Sequence, residues 1–287
     1  MGIYRHVIRP VLFRASPEWI HDRAIGTAAV LGRARAICRI TSAVHATDDP
    51  RLATEIAGLR FTNPIGLAAG FDKSGRAISM LASLGFGHVE IGSISAEPSA
   101  GNPKPRLFRI PRDGGIVVNY GLPNDGAERI AARLVATRKL PVPLGINVVN
   151  TNRGPAAPPD SDDPIINDYV QTIRRLRDFA DYFSLNLSCP NTKDGRGFFG
   201  DRSHLQRLLD LLRDLDLKQP VFLKVSGFPG ITEMESFLAT VDAAPFIAGF
   251  GINLAPGKPP GLTTPAERLK RMPGAVSGRP CAAATDR

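Results

Sequence analysis

Two rhythms of apolar and polar positions run along this chain. From about residue 50, short apolar runs recur at 64–70 (PIGLAAG), 87–94 (GHVEIGSI), 142–149 (VPLGINVV), 182–188 (YFSLNLS), 220–226 (PVFLKVS) and 246–253 (FIAGFGIN). Runs of that length, bounded by glycine and proline, predict strands. Between them, apolar residues fall three and four apart over Arg76–Leu84, Gly126–Thr137, Ile165–Phe179, His204–Leu215 and Thr232–Ala243. That spacing predicts helices. Ile165, Tyr169, Ile173 and Leu176 give the clearest amphipathic face. Strand and helix in alternation predict a parallel sheet covered on both faces.

Most of the strands end in a polar group: Asp72 and Lys73, Ser93, Asn147, Asn186, Lys224 and Asn253. A doubly wound open sheet gathers its ligand groups at one switch point. A (β/α) barrel uses the carboxyl end of every strand. The pattern therefore predicts an α/β fold of the (β/α)8, TIM-barrel type. A closed barrel needs eight strands, and six are visible. After Asn253 come a Pro/Gly-rich loop, Ser277–Pro280 and a short tail. The expected organisation is a helical segment over 1–47, then a barrel over 48–287 that lacks its last two βα units.

The first 45 residues read as basic and helical. Ile3, Val7, Val11 and Leu12 have helical spacing, with Arg5, Arg9 and Arg14 among them. Ser16-Pro17-Glu18 fits an N-cap, a proline at the first helical position and an acid in the first turn. Such a helical pair is either a membrane-surface device or a cap packed on the main domain. The apolar run Ala24–Gly32 is far too short to span a bilayer, which takes about 20 residues. Two loops are longer than the rest. Residues 96–120 suggest an excursion with a small hairpin, and 150–164 read as exposed.

The chain has 287 residues, 43% of them hydrophobic, enough for a sizeable core. Its net charge of +9 suits an acidic small molecule, an anionic membrane surface or nucleic acid. Aromatics are only 7% and no block of consecutive basic residues occurs, so no nucleic-acid partner is expected. Cys38, Cys189 and Cys281 form neither a disulfide framework nor a CxxC site, which fits a reducing compartment. The five histidines are dispersed and no metal site is signalled.

Candidate chemistry concentrates in Tyr182-Phe-Ser-Leu-Asn-Leu-Ser-Cys-Pro-Asn-Thr192. Alternation puts Asn186 and Ser188 on one face of a strand, and Pro190 turns the chain away after it. Cys189 then sits among hydrogen-bonding side chains at a strand exit, where a base or nucleophile would stand. An isolated cysteine is more often a small buried hydrophobe; the surrounding motifs reverse that preference. Gly66–Gly75 is rich in glycine and alanine where a strand ends, so a planar ligand can lie against backbone, with Lys73 as a cation beside it. Lys224 ends an apolar strand and calls for an anionic partner.

Together these segments resemble dihydroorotate dehydrogenase, the flavin enzyme of pyrimidine synthesis. GLAAGFDK at 66–73, EIGS at 90–93, GNPKPRLFR at 101–109, LGIN at 144–147, NLSCPNT at 186–192, Lys224 and SGRP at 277–280 occur in family order. The N-terminal helices and GNPKPRLFR are similar to the membrane-associated, quinone-using class. The resemblance implies that Ala69, Gly70, Ser93, Asn147, Asn186, Lys224 and Gly278 line FMN. Lys73, Asn186, Asn191 and Asn253 would hold dihydroorotate, and Cys189 would be the base. The implied reaction oxidises dihydroorotate to orotate with quinone as acceptor, in de novo UMP synthesis. The implied location is peripheral, on the cytoplasmic side of a membrane.

Three departures mark this sequence. Cys189 is a soluble-class base in a quinone-class frame. Val118 stands where the family's substrate loop has asparagine, Tyr120 replaces its methionine, and Asn119 is displaced by one. The last two strands, with the family's flavin-phosphate site, are missing; a homo-oligomer or partner chain could supply that wall. Beside the leading reading stand a paralogue acting on another small cyclic amide or acid, and a catalytically silent remnant.

Overall fold

The computed structural model describes residues 2–137, 139–154, 162–188, 198–228, 230–252 and 257–282, with the backbone alone for Arg5 and Asp162. At the amino end, a π-helical turn (Tyr4–Ile8) runs into α1 (Arg9–Leu12), followed by α2 (Pro17–Leu31) and α3 (Arg35–His45). Ser16 caps α2 by accepting from the Trp19 amide at 3.5 Å, with Pro17 and Glu18 in the first turn. A small hairpin, β1 (Thr54–Ile56) and β2 (Leu59–Phe61), leads into the main sheet.

That sheet is parallel and curled. In chain order it is built from β3 (Gly66–Leu67), α4 (Ile78–Ala82) and β4 (His88–Ile94). An excursion follows, with β5 (Leu107–Ile110) and β6 (Gly115–Val118) as the expected hairpin. Strand and helix then alternate through α5 (Ala127–Val135), β7 (Leu144–Val148), α6 (Asp162–Leu176), β8 (Tyr182–Asn186), α7 (Arg202–Arg213), β9 (Val221–Val225), α8 (Ile231–Val241) and β10 (Ile247–Ile252). The strand order is β10-β9-β8-β7-β4-β3, all pairs parallel. This is the incomplete barrel the sequence predicts, with the six strands in the predicted places. β7 and β8 are buried along their whole length, as strands covered on both faces are. Leu205, Leu208, Leu209 and Leu212 of α7 and Ile166, Tyr169, Ile173 and Leu176 of α6 pack into the same core.

The structure corrects the sequence reading in three places. First, the region after Asn253 is not only loop. It contains α9 (Ala266–Lys270) and β11 (Ala275–Gly278), and β11 pairs antiparallel with β6 to complete a three-stranded sheet. Second, part of the supposedly exposed loop 150–164 is buried. The Asp168 carboxylate on α6 accepts from the Thr151 amide at 3.0 Å and the Ala96 amide at 2.7 Å, drawing Asn150 and Thr151 inward. Residues 155–161 lie outside the described residues. Third, α6 starts at Asp162 rather than Ile165. Pro164 is tolerated in the first turn, where its missing N–H would have had no helical partner.

Candidate active site at the strand ends

Polar side chains from β4, β7, β8 and β9 meet at the carboxyl ends of the strands. Register sets this convergence: Asn147 lies beside Ser184, and Asn186 beside Lys224. The Ser93 hydroxyl donates to Asn147 Oδ1, and Asn186 Nδ2 donates to Ser93 Oγ at 3.1 Å. Asn147 Nδ2 donates to Ser184 Oγ at 3.1 Å and to Glu90 Oε1 at 3.0 Å. Asn147 is 0% exposed, and its amide oxygen and nitrogen are both bonded. The Tyr169 hydroxyl holds the Asn186 carbonyl at 2.9 Å, fixing the last residue of β8.

Glu90 anchors the cluster from below. It also accepts from the Tyr182 hydroxyl at 3.2 Å. Burial pushes its carboxyl above the usual range. The charge of Lys224 and the hydrogen bonds from Asn147, Tyr182 and the Ala69 backbone pull the other way. Deeper still, Tyr182 stacks edge-on against Phe222 and His88. Gly145 makes room for that ring: a Cβ there would lie 2.1 Å from Tyr182 Cζ.

A second cluster forms where the chain leaves β3. Gly70 adopts φ +102, donates its amide to the Gly92 carbonyl at 2.7 Å, and has open space where a Cβ would point. Lys73 Nζ donates to the Gly70 carbonyl at 2.7 Å and lies 3.9 Å from the centre of the Tyr120 ring. The Arg106 guanidinium approaches the same ring at 5.3 Å. Burial, then the Arg106 charge, lowers the Lys73 ammonium to about 8. Burial raises the Tyr120 phenol to about 12. Its hydroxyl is buried without a hydrogen-bond partner among the described residues. Glu18 of α2 binds Arg106 at 2.8 and 2.9 Å, so the amino-terminal helices close one side of a cavity of about 200 Å³ lined by Lys73, Tyr120 and Arg106.

The structure thus brings Ser93, Asn147 and Asn186 together, sets Lys224 within electrostatic reach of Glu90, and ties Ala69 to the same carboxylate. Lys73 belongs to the second cluster. Gly278 joins neither: it pairs with Gly115 on the antiparallel sheet. Cys189, Asn191 and Asn253 lie outside the described residues. Ser188, which precedes Cys189, is buried, and its hydroxyl has no partner among the described residues. Sequence reasoning gave no role to Glu90, Ser184, Arg106 or Tyr120. The signal for Glu90 was Lys224, whose expected anion was sought in a ligand. Val118 is committed to the antiparallel sheet, paired with Leu107 and Ala275, while Asn119 is engaged by Asn102 Nδ2 at 3.1 Å. Among the described residues, no three His, Cys, Asp or Glu side chains gather to hold a metal.

Comparison with known proteins gives one consistent answer. The sequence model of the family described as dihydroorotate dehydrogenase matches residues 51–282. A dihydroorotate dehydrogenase (quinone) of Chloroflexus aurantiacus is 35% identical over 289 residues, covering 96% of this chain and 77% of that protein. Its counterpart from Mycobacterium sp. (strain KMS) is 37% identical over 286 residues, covering 97% and 75%. Among solved structures, ligand-free DHODH from Eimeria tenella superposes with a TM-score of 0.75 at 27% identity, over 93% of this chain and 76% of that one. With the family model matched over residues 51–282 and the fold shared, the chain belongs to the dihydroorotate dehydrogenase family.

Proposed function

We propose that this chain oxidises dihydroorotate to orotate, with FMN as redox group and quinone as electron acceptor, in de novo pyrimidine synthesis. The observation that carries this reading is the bonded cluster Ser93–Asn147–Asn186 at the strand ends, beside Lys224. The residues fit a flavin. Gly70 leaves backbone open to a flat ring, the amides and hydroxyls match a ring edge of alternating donors and acceptors, and Lys224 favours the negative charge of the reduced state. Bound FMN would be held by Ser93, Asn147, Asn186 and Lys224 and would supply a two-electron acceptor for the hydride from substrate C6 and a route for those electrons to quinone. Gly278 is a proposed further contact to it.

The chain's own residues do the rest. Cys189, as thiolate, takes the C5 proton, and the C5–C6 double bond forms as hydride leaves C6. A thiol with an unperturbed pKa near about 8.5 needs its surroundings to favour the thiolate. Lys73 pairs with the substrate carboxylate, while Asn186, Asn191 and Asn253 bind its amide edges. Cys189→Ala is expected to keep bound flavin and slow its reduction by dihydroorotate about 10²-fold or more in stopped-flow traces. Unchanged traces would remove Cys189 from the mechanism. Because Val118 carries no amide and Asn119 Oδ1 is held by Asn102, action on another small cyclic amide or acid is the second reading. Absence of flavin reduction by dihydroorotate would favour it.

The amino-terminal helices are proposed to seat the protein on the cytoplasmic face of a membrane. Their apolar residues point outward: Ile3 is 73% exposed, Val11 62% and Val44 72%, with Arg9 and Arg14 alongside. No helix among the described residues is long and apolar enough to cross a membrane. A cavity of about 670 Å³ between the start of α2 and the 104–111 segment is the proposed quinone entrance. A chain starting at Asp48 should lose binding to anionic vesicles while keeping turnover with a soluble dye, and binding of the full chain should weaken with salt. Equal vesicle binding by both chains refutes the membrane role.

A further inference from the structure

A groove of about 990 Å³ lies between α3 and α4 and shares only Arg76 with the lining of the Lys73–Tyr120 cavity. One wall is the α2–α3 turn and α3; the other is α4 with the end of α5 and the segment that follows it. It is lined by six cations, Arg33, Arg35, Arg39, Arg76, Arg133 and Lys139, and by no acidic side chain among the described residues.

Two of these cations are already engaged. Arg76 and Arg133 share the Asp125 carboxylate at 3.0 and 2.8 Å. Arg33, Arg35, Arg39 and Lys139 have no acidic partner among the described residues. The sequence of α3, RAICRITSAVH, holds no acid that could supply one. Arg35, Arg39 and Ser42 occupy one helical face, at i, i+4 and i+7, and that face lines the groove. Like charges at i, i+4 cost a helix about 0.2–0.5 kcal/mol, so the arrangement opposes folding unless an anion joins it. The opposite face of α3 carries Ile40 and Val44, both exposed. The half-buried residues of α3 are Ile37, Cys38, Thr41 and Ser42, and Arg35 and Arg39 stand exposed beside them at the groove.

We propose that this groove binds a phosphate ester. Guanidinium groups on facing walls can take phosphate oxygens in bidentate pairs, with the Ser42 hydroxyl as an added donor. Ala29, Ala77 and Leu140 on the groove lining offer contact to the carbon body of the ester. The chemistry is shared by a soluble phosphate monoester and by a phospholipid headgroup. Because the exposed apolar stripe of α3 faces away from the groove, the soluble ester is the expected source.

The test uses the full chain saturated with FMN, so that flavin and its phosphate do not compete in the titration. Glycerol 3-phosphate is titrated calorimetrically, with chloride at equal ionic strength as reference. Vesicles of phosphatidylcholine, with and without phosphatidic acid, form the second arm. Arg35→Gln/Arg39→Gln and, on the other wall, Lys139→Gln should each weaken glycerol 3-phosphate binding at least tenfold. Thermal melting should not fall and dihydroorotate turnover should stay unchanged, since these exposed side chains touch neither cluster. Loss confined to phosphatidic acid vesicles assigns the site to a lipid headgroup and keeps the phosphate chemistry. Equal affinity in wild type and both variants, or no binding beyond the chloride reference in either arm, overturns the proposal.

Discussion

The two polar clusters in this fold are built on opposite principles. Around Asn147 the side chains satisfy one another: each amide and hydroxyl that meets Ser93, Ser184, Asn186 or Glu90 has a partner, and Lys224 is balanced by a carboxylate. Around Tyr120 the groups do not. Two cations crowd one aromatic ring, the ammonium is held below its ordinary range, and the phenol hydroxyl has no partner among the described residues. A satisfied buried network is a rigid platform that holds its geometry before any ligand arrives. An under-satisfied cluster, here a buried ammonium beside a phenol hydroxyl with no partner among the described residues, leaves groups that a ligand can complete. The first suits a large, permanently bound group, the second a small charged substrate that comes and goes.

The largest expected effect breaks the platform. Asn147→Ala leaves the Ser93 hydroxyl, the Ser184 hydroxyl and the Glu90 carboxylate each short of a partner in a buried setting. Each unsatisfied group costs about 1–3 kcal/mol, and partial rearrangement should leave a net loss of about 3 kcal/mol. Urea unfolding at pH 7 measures it. A loss below about 0.5 kcal/mol, the range of an ordinary surface change, would mean that the cluster is not the rigid element described.

The same substitution logic reverses sign at the second cluster. Tyr120→Phe removes a buried hydroxyl that has no partner and keeps the ring under Lys73 and Arg106. The expected result is a gain of about 1 kcal/mol in unfolding free energy, from relief of the desolvated group. If the hydroxyl instead binds substrate, the variant gains stability and loses affinity for orotate together. A destabilised Tyr120→Phe would show that the hydroxyl is partnered after all and would erase the contrast between the clusters.

How much of this was legible in the sequence follows the same division. The six parallel strands are short apolar runs closed by glycine and proline, and local pattern suffices to place them. So does the Ser16-Pro17-Glu18 start of α2. β11 is not legible in this way. It has four residues, a loop-like composition, and a partner, β6, some 160 positions earlier (Ser277 pairs with Ile116). Such pairing is decided by tertiary structure rather than by any local preference. The strand-end cluster was foreseen in its members Ser93, Asn147 and Asn186. The carboxylate beneath them was not, because Glu90 and Lys224 meet only when β4 and β9 curl around a common interior. The crowding at Tyr120 was equally hidden, since it arises from α2, the β3 exit and the loop after β6 coming together.

A pH-dependent effect concerns Lys73, and it is confined to a window of pH. Its ammonium is lowered from 10.5 to about 8, first by burial and next by Arg106, with Asp22, Glu18 and Asp72 offsetting part of the shift. The sign follows from linkage. Between about pH 8 and 10.5 the unfolded chain binds the proton that the folded chain has lost, so stability should rise with pH across that window. Below about 8 both states carry the proton, and the folded state bears the full cost of burying it. Lys73→Met should flatten the profile. Binding of an anion runs the other way, because a carboxylate beside Lys73 favours the charged form. Orotate affinity should therefore be constant below about pH 8 and fall by up to tenfold per unit above it, with a proton taken up on binding that calorimetry in two buffers can count. An affinity that stays level from pH 7 to 10 would show that Lys73 does not hold the carboxylate. The unsatisfied cluster would then need another anion to explain it.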